Sequence, residues 1–157
     1  MNLIKTIPKE KKLVIFDFFG TLIGNTELDA YQPKKGVNSL LEILHAEKKI
    51  LAISSDAPFE DISISFLFDL HKGIYKGWNS YFDGRIYQGW RHIVGYDRYH
   101  AVKNLGEILN NCKNIQPSDA IFIGDNDKGR DKRSAEAFGI DFILVKQDTD
   151  FLSLYRK

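Results

Sequence analysis

The sequence predicts an α/β protein with a mostly parallel sheet of about five strands between two layers of helices. Three observations predict it: four short apolar runs, helical patterns that alternate with them, and a length of 157 residues that suits one domain. Unbroken apolar runs are typical of strands buried on both faces, as in a parallel sheet. Their alternation with helices predicts a doubly wound, three-layer α/β/α sandwich with right-handed crossovers.

The predicted strands are the four apolar runs. They cover residues 13–17, 50–54, 120–125 and 141–145. Three of these strands end in a polar residue, namely Asp17, Ser54 and Asp125. In an open parallel sheet, ligands bind beyond the carboxyl ends of the strands, so these three side chains mark the edge where a site is expected.

The predicted helices lie between the strands. Their apolar residues recur at spacings of three and four, which is the periodicity of one helix face. They cover residues 37–48, 59–70, 100–111 and 131–138. Gly139 follows the last of them, where a helix commonly ends.

The segment from residue 71 to residue 100 differs in composition from the rest. It holds both tryptophans, five of the seven tyrosines and three of the four histidines, and glycines interrupt it. We predict an irregular or hairpin-like segment with a strand at 81–87, inserted in a single domain over 1–157 as a small lid. Its aromatic and arginine side chains suit base stacking, but such residues more often pack a lobe onto the sheet, so we expect no nucleic-acid partner.

Composition excludes several classes of protein. The 22 basic and 21 acidic residues give a net charge of +1, with no global signal for nucleic acid or membrane. The single cysteine, Cys112, excludes an intramolecular disulfide framework. No apolar run approaches the roughly 20 residues of a membrane span, and the first residues lack the apolar core of a signal peptide. We therefore expect a cytoplasmic protein without a membrane partner; the oligomeric state stays open.

The strand-end side chains predict a type of chemistry. Two carboxylates that converge repel each other unless a cation lies between them, and hard oxygen ligands suit Mg²⁺. A hydroxyl such as that of Ser54, together with a nearby lysine, is suited to bind the oxygens of a phosphoryl group.

Four segments carry a family resemblance. Residues 14–22 read VIFDFFGTL, residues 50–55 read ILAISS, and residues 121–131 read IFIGDNDKGRD, with Lys103 between the last two. In this order they resemble the four motifs of the haloacid dehalogenase (HAD) superfamily of hydrolases. The first and fourth motifs, both at strand ends, are the specific part of the resemblance, which covers roughly residues 12–146.

The resemblance implies a Mg²⁺-dependent phosphatase acting on a phosphorylated substrate. Asp17 would be the nucleophile and would form an aspartyl-phosphate. Ser54, Ser55 and Lys103 would bind the phosphoryl group, and Lys103 would keep Asp17 ionised. The implied ligands of Mg²⁺ are Asp17, the backbone carbonyl of Phe19, Asp125 and Asp131, with Asp127 as a further candidate.

The sequence departs from the family pattern at two places. The second aspartate of the first motif, the usual general acid and base, is replaced by Phe19, so we expect slow turnover of esters with poor leaving groups. Asp127 and Asp56 are candidates to supply the missing acid. The acids of the fourth motif, Asp125 and Asp131, are six residues apart rather than four or five.

Several alternatives stay open from the sequence. With 36 residues between Asp17 and Ser54 there is no room for a helical cap, and an open site favours a macromolecular substrate or a covering partner. A HAD-fold binding module without turnover and a dehalogenase-like enzyme are the competing functions; a response-regulator receiver lacks the expected acid pair. Asp131 is also a candidate helix N-cap, and Lys113 a substitute for Lys103.

Overall fold

The computed structural model describes residues 4–24, 31–57, 63–91, 102–126 and 129–155. Its centre is a sheet of five strands in the order β3-β2-β1-β6-β7, and all four neighbouring pairs are parallel. The bounds of the strands are β1 Leu13–Phe16, β2 Ile50–Ser55, β3 Ile86–Gln88, β4 Trp90–Arg91, β5 Val102–Lys103, β6 Ala120–Gly124 and β7 Asp141–Leu144. Strands β4 and β5 form a separate antiparallel pair.

Helices cover both faces of the sheet. Their bounds are α1 Val37–Ala46, α2 Ile64–Leu70, α3 Trp78–Phe82, α4 Leu105–Asn111 and α5 Arg130–Phe138, with short 3₁₀ turns at Pro117–Asp119 and Phe151–Leu154. Helices α1, α2 and α3 pack on one face through a buried cluster that includes Leu41, Phe68 and Trp78. Helices α4 and α5 pack on the other face, around Ile108 and Ala135. The predicted α/β/α sandwich with a parallel sheet of five strands is thus confirmed.

The central strands β1 and β6 are apolar along their whole length because both of their faces are covered. Every residue of each strand is buried. Side chains of a strand alternate between the two faces, so Val14 and Phe16 enter one cluster and Leu13 and Ile15 enter the other. This double burial explains why the sequence shows unbroken apolar runs rather than alternation.

Some predicted element bounds are wrong. The first helix ends at Ala46 rather than at 48. The second begins at Ile64, where Ser63 accepts a hydrogen bond from the N–H of Phe66 as an N-cap; the part of its predicted range at 59–62 lies outside the described residues. The strand predicted at 81–87 begins only at Ile86, because residue 81 belongs to α3.

The aromatic segment contributes three buried side chains to the core, those of Tyr75, Trp78 and Phe82. Trp78 and Phe82 are fully buried beneath α1 and α2, and β3 forms an edge of the main sheet. Residues 92–101 lie outside the described part of the chain, so the lid and the single-domain division stay predictions. Within the described residues, no helix is long and apolar enough to cross a membrane.

Candidate functional site

Three strands end at the same level of the carboxyl edge, two of them in a polar side chain and the third in the glycine that precedes Asp125. Phe16, the last residue of β1, is paired with Ile53 of β2 and with Ile123 of β6. The next residues along these strands, Asp17, Ser54 and Gly124, therefore lie side by side where the sheet ends. The backbone N–H of Asp17 donates to the carbonyl of Ile123 at 2.9 Å, which fixes this level.

Two donors orient the carboxylate of Asp17, whose residue is only 4% exposed. The hydroxyl of Thr21 donates to Oδ2 at 2.8 Å, and the ammonium group of Lys103 donates to Oδ1 at 2.8 Å. The same Thr21 oxygen accepts the backbone N–H of Asp125 at 3.1 Å. Thr21 therefore ties the turn after β1 to the loop after β6.

Lys103 reaches the site from β5 and not from a helix. The helix predicted over 100–111 is wrong at its start, because Val102 and Lys103 form a strand and α4 begins at Leu105. Lys103 is 2% exposed, and its Nζ lies 2.8 Å from Asp17 and 2.5 Å from Oδ1 of Asp131. The substitute Lys113 is exposed in the turn after α4.

Asp131 is held on the second position of α5. Its Oδ2 accepts the backbone N–H of Asn126 at 3.0 Å, while Gly129 is the N-cap of the helix, so the N-cap role weighed for Asp131 is wrong. Asn126 has a φ of 60°, which turns the loop sharply back toward the site. This turn brings Asp125 and Asp131 together in spite of their six-residue spacing. Asp127 lies outside the described residues.

Three carboxylates converge at this edge. One oxygen from each of Asp17, Asp125 and Asp131 lies within 4.8 Å of the other two. Among the described residues, Lys103 is the cation bonded to two of them, Asp17 and Asp131. Burial raises the pKa of Asp17 to about 6 in spite of Lys103, and Asp131 adds to the rise.

The other two buried charges respond to the same surroundings. Burial lowers the pKa of Lys103, but the attraction of Asp17 and Asp131 outweighs it and holds that pKa above its usual value. Burial also raises the pKa of Asp131, in opposition to Lys103. Lys103 is therefore charged at neutral pH and acts as a fixed cation for Asp17 and Asp131.

The remaining predicted residues occupy different positions around the edge. Ser54 is buried and lies in the wall of a cleft between β3 and α4. Ser55 is also buried, and its Oγ accepts the N–H of Ala57 at 3.2 Å. Phe19 follows Asp17 by two residues, is half-buried, and packs edge-on against Phe18 with ring centroids 4.9 Å apart. Asp56 forms a salt bridge of 2.6 Å with Arg130.

Sequence reasoning gave no role to two residues that organise the site. Thr21 lies within the first motif. Its position directly after a glycine is the sequence feature that could have indicated its role. Ser134 had no signal, because its contact is made across 31 residues: its Oγ accepts the backbone N–H of Lys103 at 2.8 Å and donates to the carbonyl of Arg130 at 2.7 Å. Ser134 and Asp131, three residues apart on α5, thus hold opposite ends of Lys103.

The carboxylate cluster fits a hard divalent cation. Its donors are oxygens, and they come from three separate segments of the chain. Mg²⁺ favours such carboxylate oxygens and retains water molecules in its other positions. Burial raises the pKa of Asp17, and a cation bound beside this carboxylate would favour its ionised form.

No family model and no curated protein matches the chain. Among solved structures, the chain is similar to the crystal structure of 3-deoxy-D-manno-octulosonate 8-phosphate phosphatase from Moraxella catarrhalis in complex with magnesium ion, phosphate ion and KDO. The two are 19% identical with a TM-score of 0.48, and the match covers 88% of this chain and 78% of that one.

Proposed function

We propose that this protein is a Mg²⁺-dependent phosphohydrolase of the HAD type that works through an aspartyl-phosphate at Asp17. The observation that carries the proposal is that Asp17, at the carboxyl edge of a parallel sheet, is bonded to Lys103 and lies beside the carboxylates of Asp125 and Asp131. A nucleophilic carboxylate beside a fixed ammonium group and a cation site is suited to phosphoryl transfer.

Asp17 performs two steps in this mechanism. An oxygen of its carboxylate attacks phosphorus, the bond to the ester oxygen breaks, and that oxygen leaves with the electron pair. A water molecule then attacks the same phosphorus, the bond between phosphorus and the Asp17 oxygen breaks, and inorganic phosphate leaves as the carboxylate is restored. The attacking water loses its proton to solvent, and the departed ester oxygen takes up one from solvent. The hydrogen bonds from Thr21 and Lys103 hold Asp17 in one orientation through both steps.

The charge of the transferring phosphoryl group is balanced by neighbouring groups. Ser54 donates a hydrogen bond to one of its oxygens, and Lys103 contributes a fixed positive charge. Mg²⁺, held by Asp17, Asp125 and Asp131, would supply further charge neutralisation when bound. The backbone carbonyl of Phe19 remains a proposed ligand, and Ser55 a proposed phosphate neighbour.

The leaving group receives no proton from the position that usually supplies it. Phe19 carries no ionisable group, and Asp56 is engaged with Arg130. The proposed enzyme therefore favours leaving groups that depart as stable anions. Alkyl esters are expected to react slowly, since general acid catalysis contributes about 10²–10⁴-fold where it operates.

The structure bears differently on the two competing functions, a binding module and a dehalogenase-like enzyme. Phe19 also fits a binding module that keeps the cation and phosphate site without turnover. The dehalogenase-like alternative requires no metal. Three carboxylates within 4.8 Å of one another are a costly arrangement for a site that holds no metal ion.

Hydrolysis of 4-nitrophenyl phosphate tests the proposal, because this leaving group departs without protonation. We expect Mg²⁺-dependent turnover that EDTA abolishes and that Asp17→Asn lowers to background. Asp83→Asn is the matched control: its side chain is 81% exposed in the salt bridge to Arg85, and asparagine tolerates its left-handed conformation.

Each other outcome selects an alternative. Mg²⁺ binding without turnover would favour the binding module. Hydrolysis that persists in EDTA and in Asp17→Asn would contradict the proposed mechanism. Halide release from a haloacid in the presence of EDTA would favour the dehalogenase.

A further inference from the structure

Helix α5 contacts the segment around Lys103 through one of its faces. Asp131, Ser134 and Phe138 are spaced by three and four residues, so their side chains lie on the same face of the helix. Asp131 bonds the ammonium group of Lys103 at 2.5 Å, and Ser134 Oγ accepts the backbone N–H of the same lysine at 2.8 Å. The ring of Phe138 packs so closely on Gly106 that a Cβ there would lie 2.7 Å from it. One helix face therefore contacts both ends of the lysine and the first turn of α4 beside it.

The main sheet does not by itself set the position of Lys103. Asp17 directly follows β1, a central strand with the parallel partners β2 and β6. Lys103 lies in β5, which has two residues and belongs to the separate antiparallel pair. A short pair of strands is marginally stable on its own, so the packing of α5 against β5 helps to hold this backbone in place.

We propose that Ser134 is a positioning residue for phosphoryl transfer; the inference rests on the proposed function. Ser134 fixes the backbone of Lys103 against α5 and thereby sets the position of the ammonium group relative to Asp17. Its side chain is fully buried, and its hydroxyl acts as donor and acceptor at once, since it also donates to the carbonyl of Arg130 at 2.7 Å. A serine within a helix commonly donates to the carbonyl four residues earlier. The bond that it accepts from β5 is the additional one.

Loss of the hydroxyl would move the lysine without removing its charge. Ser134→Ala retains the helix, because alanine has the highest helix propensity. The substitution takes the acceptor from the backbone N–H of Lys103, and a buried N–H without an acceptor is unfavourable, so this backbone shifts. Asp131 still bonds the ammonium group, so the shift alters how that group is aligned with Asp17 and the phosphoryl group. A displacement of about 1 Å can lower a rate by about 10²-fold.

Ser134→Ala is compared with the parent and with Ser153→Ala in the presence of Mg²⁺. Ser153 is the matched control: its hydroxyl also donates to a carbonyl of its own turn, that of Asp150 at 2.6 Å, and the turn Phe151–Leu154 contains none of the proposed site residues. Circular dichroism melts select a temperature at which every variant is folded. Calorimetry measures the Kd of orthovanadate, which mimics the transition state of phosphoryl transfer, and the Kd of inorganic phosphate. Hydrolysis of 4-nitrophenyl phosphate gives kcat and KM.

We expect Ser134→Ala to lower kcat at least about tenfold and to raise the Kd of orthovanadate by a similar factor. The KM and the Kd of inorganic phosphate should change less than about threefold, because a misaligned charge weakens the interactions that are made in the transition state. Ser153→Ala leaves these values unchanged. An unchanged kcat in folded Ser134→Ala, or an equal weakening of orthovanadate and phosphate, would overturn the inference.

A second measurement tests whether Ser134 acts through Lys103. Ser134→Ala is repeated in a Lys103→Met background, where the ammonium group that it positions is absent. We expect it to weaken orthovanadate less than about twofold there, and an undiminished effect would overturn the inference. A parent that binds orthovanadate with this dependence on Ser134 but has no turnover would reject the proposed function and keep the positioning role. A parent that neither binds orthovanadate nor turns over would reject both.

Discussion

The ammonium nitrogen of Lys103 lies 2.5 Å from a carboxylate oxygen of Asp131, although the two residues come from a short strand and a helix on different parts of the chain. Its second partner, Asp17, lies 2.8 Å away at the end of β1. One buried cation therefore joins three elements. The stability of this part of the protein depends on the positive charge of Lys103.

Removal of the lysine charge should destabilise the protein strongly. Lys103→Met keeps the length of the side chain but leaves Asp17 and Asp131 buried without their cation. We expect a loss of ~3–5 kcal/mol in the free energy of unfolding at pH 7, measured by urea denaturation in EDTA. The loss should shrink at pH 5, where the raised pKa of Asp17 lets it become neutral. Lys146→Met, at an exposed position, is the control and should have little effect.

The order of strands and helices along the chain can be predicted from the sequence, because strands buried on both faces leave unbroken apolar runs. The position of Lys103 does not follow in the same way. Val102, Leu105 and Ile108 are spaced like a helix face, yet the first of them lies in β5 and the other two in α4. A two-residue strand is too short to show a period, and its antiparallel pairing with β4 is what identifies it.

Some residues of the site can be recognised from the local sequence, and others cannot. Asp17 and Asp125 follow apolar runs, so the level at which they meet is set by parallel pairing alone. Ser134 holds the backbone of Lys103 through a contact between α5 and β5 that no local pattern encodes. The closeness of Asp125 to Asp131 depends on the left-handed turn at Asn126, which spacing alone did not predict.

Asp17→Asn should change the pH dependence of stability. The pKa of Asp17 is about 6 in the folded protein and about 3.8 for an ordinary aspartate, so the folded state binds this proton more tightly. The free energy of unfolding of the metal-free protein therefore falls as the pH rises from 4 to 6, and the asparagine variant lacks this fall. We expect the variant to be more stable by ~2–3 kcal/mol at pH 7, with little difference at pH 4.

Urea denaturation in EDTA at pH 4, 5, 6 and 7 measures this difference. Two results would contradict the prediction: a variant that is less stable than the parent at pH 7, or a difference in the free energy of unfolding that stays constant with pH. Either would show that ionisation of Asp17 does not destabilise the folded protein. Addition of Mg²⁺ should reverse the order at pH 7, because only the parent retains all three carboxylates to bind and be stabilised by the cation.

Gly124→Ala should disturb the cation site without removing any of its ligands. A Cβ at this position would lie 2.2 Å from Oδ2 of Asp131, so the carboxylate must move. We expect the Mg²⁺-induced rise in melting temperature to be lost and turnover to fall at least tenfold, since a small misplacement of a reacting group has a large effect. Gly73→Ala is the matched control because its Cβ would meet open space. A normal Mg²⁺ response in Gly124→Ala would remove Asp131 from the proposed ligand set.

Phe19→Asp should restore a proton donor to the leaving group. The ring of Phe19 is half-buried against Phe18, so its loss costs ~1–2 kcal/mol of stability, within the usual range for a single substitution. We expect kcat for alkyl phosphates to rise at least tenfold, toward the 10²–10⁴-fold of general acid catalysis. The rise of kcat for 4-nitrophenyl phosphate should be smaller, because only the attack of water on the aspartyl-phosphate gains from the new carboxylate. Phe19→Asn removes the same ring without adding an acid and separates the two effects. An equal gain in both variants would show that removal of the ring, and not a new proton donor, causes the change. No gain in either variant would show that departure of the leaving group is not the slow step of alkyl ester hydrolysis.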